Sequence, residues 1–202
     1  MTTNPTATPG WNELLLDQLT FHWEHALRPR LEGLTDDEYL WEPADGAWSI
    51  RPRGTSTSPA PIGVGAFERD DAPDDPDPAP VTTIAWRLAH ITVEVLAMRS
   101  ASHFGREATD YESWAYAGTA AEALAQLDRE VDTWRAGVLA LGEDGLARPC
   151  GPAEGPFGDL PMAALVLHIH REVIHHGAEI CLLRDLYAHR FPSTPTTDPK
   201  DA

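Results

Sequence analysis

Residues 168–179 read HIHREVIHHGAE and bring His168, His170, Glu172, His175, His176 and Glu179 into one short stretch. Four of the chain's nine histidines lie there. Imidazoles and carboxylates at four-residue spacing on a helix stack on one face, so they can converge on a single metal ion or pass protons between them. Glu172 and His176 are the best-spaced pair. At about 100° per residue, His168, Glu172, His175, His176 and Glu179 share roughly one-third of the circumference with Leu165, Ile169, Leu183 and Leu186. His170, Arg171, Arg184 and Asp185 fall on the opposite arc. The expectation is an inward face with apolar ends and a polar middle, and a wet face carrying His170.

A site in the middle of a helix bundle takes at least one ligand from another helix. His90, in WRLAHITVEV, is the leading candidate because it interrupts an otherwise apolar helix. His90, Glu172 and His176 together supply two imidazoles and one carboxylate. That set leaves positions open for water or substrate, as a catalytic metal site does, and suits zinc, nickel, iron or manganese, with zinc preferred. Glu179, three residues beyond His176, can accept the other ring N–H of a ligating imidazole. His168 and His175 are the candidate catalytic proton carriers. His22 and His25 in the first helix can also contribute, whereas His103 and His189 fall at helix ends and are expected in solvent. The plainer alternative is that Glu172–His176 is an ordinary helix-surface ion pair and His90 a hydrogen-bonded core residue.

Four helical stretches position these residues. The first spans about 11–31, with Leu14, Leu15, Gln18, Leu19, His22 and Trp23 at helical spacing. The second follows Thr82 or Thr83 as N-cap, with Ile84, Leu88, Ile91, Val95 and Met98 as its stripe and Gly105 as its C-cap. The third follows Thr119 and carries Leu124, Leu127, Val131, Trp134, Val138 and Leu141, with Gly142 marking its end. The fourth spans about 160–189. No strand-like alternation is visible. Four such helices predict an all-α four-helix bundle in one domain over 11–189, with flexible tails at 1–10 and 190–202. Between the first and second helices, residues 51–80 hold seven prolines and five aspartates. So polar a segment cannot pack a core and reads as a long loop or a partly disordered insertion.

Composition narrows the function classes. A formal net charge of −17 over 202 residues argues against nucleic acid and anionic membrane surfaces, both of which attract basic patches. No apolar run approaches transmembrane length and the N-terminus lacks signal-peptide character, so a cytoplasmic protein is expected. Cys150 and Cys181 are too few for a disulfide framework and read as reduced thiols.

The run EVIHHGAEICLLRDLY resembles the closing helix of DinB-like proteins, the superfamily that includes the N-terminal domain of mycothiol-dependent maleylpyruvate isomerase. WEPADGAWSIRP resembles the segment after that family's first helix, and WRLAHITVEV the start of its second. The resemblance runs from about 11 to 189. It implies a four-helix bundle, often a homodimer, that holds a divalent metal by one residue of the second helix and two of the fourth. Many members use a His-x-x-x-His pair in the fourth helix. Glu172 and His176 instead match the Glu-x-x-x-His of the maleylpyruvate-isomerase-like branch, with His90 at the second-helix position. The isomerase proper carries a further C-terminal domain, where this chain has STPTTDPKDA.

Two readings follow. In the first, the chain is a metal-dependent enzyme acting on a small molecule, either a transferase or isomerase using a low-molecular-weight thiol such as mycothiol, or a hydrolase. In the second, it is a non-enzymatic bundle that binds a metal or ligand, its polar cluster serving as a core network.

Overall fold

Buried positions recur at a strict four-residue spacing in two of the long helices. Leu19, Trp23, Leu27 and Leu31 are buried along the first, and Ile84, Leu88, Thr92, Leu96 and Ser100 along the second. On an α-helix such a stripe drifts by about 40° at each step. A π turn, with i→i+5 hydrogen bonds and about 4.4 residues per circuit, drifts the other way and brings the stripe back to one face. Both helices contain one. The computed structural model describes residues 9–74 and 76–192. In it, α1 (residues 11–30) runs through Trp11–Phe21, a π-helical stretch His22–Leu27 and Arg28–Arg30. Its widened turn closes with Arg28 N–H on the Trp23 carbonyl. The expected tails at 1–10 and 190–202 fall almost wholly outside the described residues.

A short helix, α2 (Asp36–Tyr39), follows α1, capped by the Thr35 hydroxyl. Next comes α3 (residues 84–104), built from Ile84–His90, a π-helical stretch Ile91–Ala97 and Met98–Phe104. Thr83 caps its start, Met98 N–H bonds to the Val93 carbonyl, and Gly105 ends it in the left-handed region. The third long helix, α4 (Ala120–Ala147), is capped by Thr119 and buries Leu127, Val131, Trp134 and Val138. Gly142 was expected to end this helix. Instead its positive φ bends the chain, and helix resumes to Ala147. A 3₁₀ turn (Pro152–Phe157) leads into α5 (Met162–Arg190). Helix α4 packs on α1, α3 and α5, and α5 also packs on α1 and α3. The fold is the expected all-α four-helix bundle. No helix among the described residues is long and apolar enough to cross a membrane.

The Pro/Asp-rich segment departs from expectation. It is not structureless: Ile50–Pro52 (β1) and Phe67–Arg69 (β2) pair antiparallel, with Ile50 opposite Arg69 and Arg51 opposite Glu68. Apolar residues are scarce there, so carboxylates do the organising. Buried Asp70 accepts from Ser49 N–H at 2.9 Å, Arg51 Nε at 2.7 Å and Ser56 Oγ at 2.5 Å. Buried Glu68 accepts from the backbone N–H groups of Gly54 and Ser56. Charge-assisted bonds to backbone donors are the stronger kind, and here they add to the packing of Ile50, Ile62 and Phe67 on the core. Strand β2 ends with Arg69 beside α3.

Close packing of α3 on α4 depends on Gly137. A Cβ there would lie 2.1 Å from Cδ2 of Phe104, whose ring also sits against Trp134 at 5.2 Å. Alanine favours a helix over glycine by about 1 kcal/mol, but overpacking costs about 1–3 kcal/mol. A 2.1 Å approach to a ring held against Trp134 puts the overpacking in the upper half of that range, so Gly137→Ala is expected to lower the unfolding free energy by about 1–2 kcal/mol in chemical denaturation. A variant as stable as wild type would contradict this packing.

Candidate metal centre

Helices α3 and α5 meet along a seam where His90 and His176 face each other. Their rings meet edge to face with centroids 4.6 Å apart. Each imidazole is held through Nδ1 by a carboxylate of its own helix. His90 Nδ1 lies 2.5 Å from Glu94 Oε2, and His176 Nδ1 lies 2.6 Å from Glu179 Oε2. An ionised carboxylate can only accept, so Nδ1 carries the hydrogen in both rings and Nε2 is the other nitrogen; Arg87 Nη1 also faces His176 Nδ1, but at 3.5 Å it is far weaker than the 2.6 Å contact to Glu179. This carboxylate–imidazole pairing is how proteins orient metal-ligating histidines.

Glu172 completes the group. Its Oε2 lies 3.4 Å from His176 Nε2. One ligand atom from each of His90, Glu172 and His176 can be chosen so that all lie within 4.8 Å of one another. With metal–ligand distances of about 2.0–2.2 Å, two donors on a tetrahedral ion stand about 3.4 Å apart; Glu172 and His176 stand at that spacing, and a His90 ring nitrogen lies within 4.8 Å of both, a donor set of the kind a divalent cation takes. The three side chains are largely buried, His176 most of all at 12% exposed. The π turn of α3 begins immediately after His90, and such turns often mark functional sites.

Burial depresses the His176 pKa, partly offset by its bond to Glu179. For Glu94 and Glu179, burial alone would raise the pKa. The hydrogen bonds from His90 and His176 and the neighbouring arginines outweigh it, holding Glu179 below its ordinary value and Glu94 at about 2. Both carboxylates are thus ionised around neutral pH.

The other predicted residues surround this group. His175 lies 3.6 Å from Glu179 Oε1 and is 63% exposed, and it forms a second, more open cluster with His176 and Glu179. His168 Nδ1 accepts from Arg171 at 2.6 Å and stands 3.4 Å from Glu172 Oε1. Beyond His168, a cavity of about 370 Å³ is lined by Arg99, Cys150, Phe157, Leu165, His168 and Arg171. His22 and His25 of α1 join neither metal-type cluster. Sequence reasoning overlooked Glu94. The signal was present, since Glu94 stands four residues after His90, as His176 does after Glu172.

Three expectations about burial are corrected. The core-facing arc of α5 is centred on Val166, Val173, Gly177 and Ile180, about a third of a turn from the arc inferred from the leucines. The polar cluster therefore sits at the seam on its flank, and Leu186 is exposed. His170, placed on the wet face, is 4% exposed, and Arg184 turns inward to bond Glu38 at 2.7 Å. His103 is not solvated either, because the 3₁₀ turn folds Glu154 onto it at 2.8 Å.

An all-α bundle with two imidazoles and a carboxylate converging on the seam of its second and last long helices defines the class of protein. The sequence profile of the DinB superfamily matches residues 66–180, which contain all three donors. The match covers more than half of the chain, and the chain belongs to the DinB superfamily. No curated protein and no solved structure matches it.

His170 yields a pH prediction. Burial alone lowers its pKa to about 4, and its Nε2 has no hydrogen-bond partner. Unfolded, it titrates at 6.5, so below that pH the unfolded chain binds a proton that the folded chain refuses. Stability is therefore lost between pH 6.5 and about 4 and is unaffected by this group above that window. From pH 7 to pH 5 the loss is about 2 kcal/mol. In urea titrations of metal-free protein, His170→Leu is expected to remove about that much of the acid sensitivity. An unchanged pH dependence would contradict a neutral buried imidazole.

Proposed function

We propose that the protein is a metal-dependent enzyme that holds a divalent cation, zinc first, through His90, Glu172 and His176. The observation that carries this reading is the pairing of both imidazoles, each tied through Nδ1 to a carboxylate, around a third donor at ligand spacing. Nickel, iron and manganese suit the same donors. The more exposed cluster of His175, His176 and Glu179 is a weaker holder, because Glu179 is already engaged by His176 Nδ1. When bound, such an ion supplies Lewis acidity, which lowers the pKa of a water or thiol at an open position.

The chain's own residues supply the rest. Glu94 and Glu179 orient the two imidazoles. His168 and His175 stand beside Glu172 and Glu179 and are exposed enough to exchange protons with solvent and with a substrate. The neighbouring cavity is lined by apolar Phe157 and Leu165 and by cationic Arg171, while its Arg99 is paired with Glu154 at 3.3 Å, and it suits a small organic molecule. The Glu-x-x-x-His pair favours the maleylpyruvate-isomerase-like branch of the superfamily, and with it a transferase or isomerase that uses a low-molecular-weight thiol such as mycothiol. Hydrolysis is the alternative chemistry. A non-enzymatic metal-binding role is the reading that uniform inactivity of the loaded protein would favour. Two unpaired thiols suit a reducing, cytoplasmic setting. We also propose a homodimer, because Leu167, Ile174 and Leu182 leave an exposed apolar stripe along α5 at seven- and eight-residue spacing.

Elemental analysis of purified protein tests the site. Wild type is expected to carry about one divalent ion per chain, and Glu172→Ala and His176→Ala to bind at least tenfold more weakly. Equal metal in all three, after supplementation, would sink the three-donor site. Light scattering tests the assembly. Wild type is expected at twice the chain mass and Leu182→Asp at the chain mass, whereas a monomeric wild type would rule the dimer out.

A further inference from the structure

Each imidazole of the centre stands at the end of a three-group chain, and both chains finish on an arginine beside the same indole. In the first, His90 Nδ1 meets Glu94 Oε2, and Glu94 Oε1 meets Arg69 Nη2 at 2.8 Å. In the second, His176 Nδ1 meets Glu179 Oε2, and that oxygen lies 3.2 Å from Arg87 Nε. Trp86 lies between the two arginines. Its ring stacks on His90 with planes 10° apart, and the guanidinium carbons of Arg69 and Arg87 stand 5.1 and 5.6 Å from its centroid. The indole N–H donates to the Asp70 carbonyl at 2.9 Å, which ties it to the Pro/Asp-rich segment.

Arg69 is the unusual member. It is 3% exposed, and a buried guanidinium is costly unless it is paired. Its carboxylate partners, Glu94 and Asp71, both bind through Nη2, while Nε and Nη1 have no hydrogen-bond partner. Besides Trp86, the guanidinium carbon has Tyr111 and Tyr116 rings at 5.8 and 5.9 Å. The aromatic faces thus orient the fork, and its hydrogen bonding is concentrated on the nitrogen that reaches Glu94.

We propose that Arg69 and Arg87 are positioning residues for the metal centre. Each fixes the carboxylate that fixes an imidazole, so that Nε2 stays turned away from the carboxylate. Because Arg69 arrives on β2, the Pro/Asp-rich segment is a built-in part of the site, and the order of that segment is coupled to the order of the donors. This inference rests on the metal reading above.

Co²⁺ is the probe, added to metal-free full-length protein and followed by its visible d–d absorption, with circular dichroism as the check on folding. Wild type is expected to bind one Co²⁺. Arg69→Met and Arg87→Met are expected to bind 10- to 100-fold more weakly, with shifted visible bands, and Arg69→Lys to recover part of both. If Arg69→Met does not fold, Arg87→Met, at a partly exposed position, carries the test. Wild-type affinity and bands in the folded variants overturn the inference while leaving the metal reading intact. Weaker binding with unshifted bands assigns the arginines a purely structural role and overturns it as well. A wild type that binds no Co²⁺ overturns the metal reading itself.

Discussion

Two imidazoles meeting edge to face across the α3–α5 seam set the terms for everything around them. Ionisable groups withdrawn from water are costly unless each has a partner. Here every one has. Glu94 and Glu179 take the two Nδ1 hydrogens, and Glu172 stands opposite the remaining nitrogen of His176. The result is a polar cluster in which His90, Glu172 and His176 each bring a donor atom within 4.8 Å of the other two. That is why the same residues that would be a liability in an ordinary core make a candidate cation site.

The helices are shaped to hold this seam. A four-residue stripe on an ordinary α-helix would wind away from its neighbours, and the π turns in α1 and α3 keep Trp23 and Leu27, and Thr92 and Leu96, facing the core. The widened turn of α3 also begins at His90, so the device that holds the stripe in register lies against the group that holds the donors. The Pro/Asp-rich segment contributes differently. With little apolar material, it folds around Glu68 and Asp70 as internal acceptors and delivers Arg69 to Glu94.

Much of this was legible in the sequence, because the strongest signals were local. Thr83 and Thr119 cap through their hydroxyls and Gly105 through its freedom to turn left-handed, as their residue types say they should, and the four helices follow. Glu172 and His176 could be paired by spacing alone, and His90 stood out as polar in an apolar run. What was not legible depended on partners distant in sequence. The burial of His170 and Arg184 follows from which side of α5 the other helices cover, and neither composition nor phase specifies that side when leucines lie on two arcs. The pairing of β1 with β2 was hidden for a related reason. Prolines and aspartates signal disorder when the carboxylates face water, and nothing local reveals that Asp70 will instead be surrounded by Ser49, Arg51 and Ser56.

The most direct test of the central claim is X-ray absorption at the zinc edge on protein loaded with one equivalent of Zn²⁺. The spectrum is expected to show nearest neighbours of nitrogen and oxygen at about 2.0–2.1 Å with the outer-ring scattering of two imidazoles and no sulfur. A shell containing sulfur at about 2.3 Å, or one without imidazole scattering, would contradict a centre built from His90, Glu172 and His176.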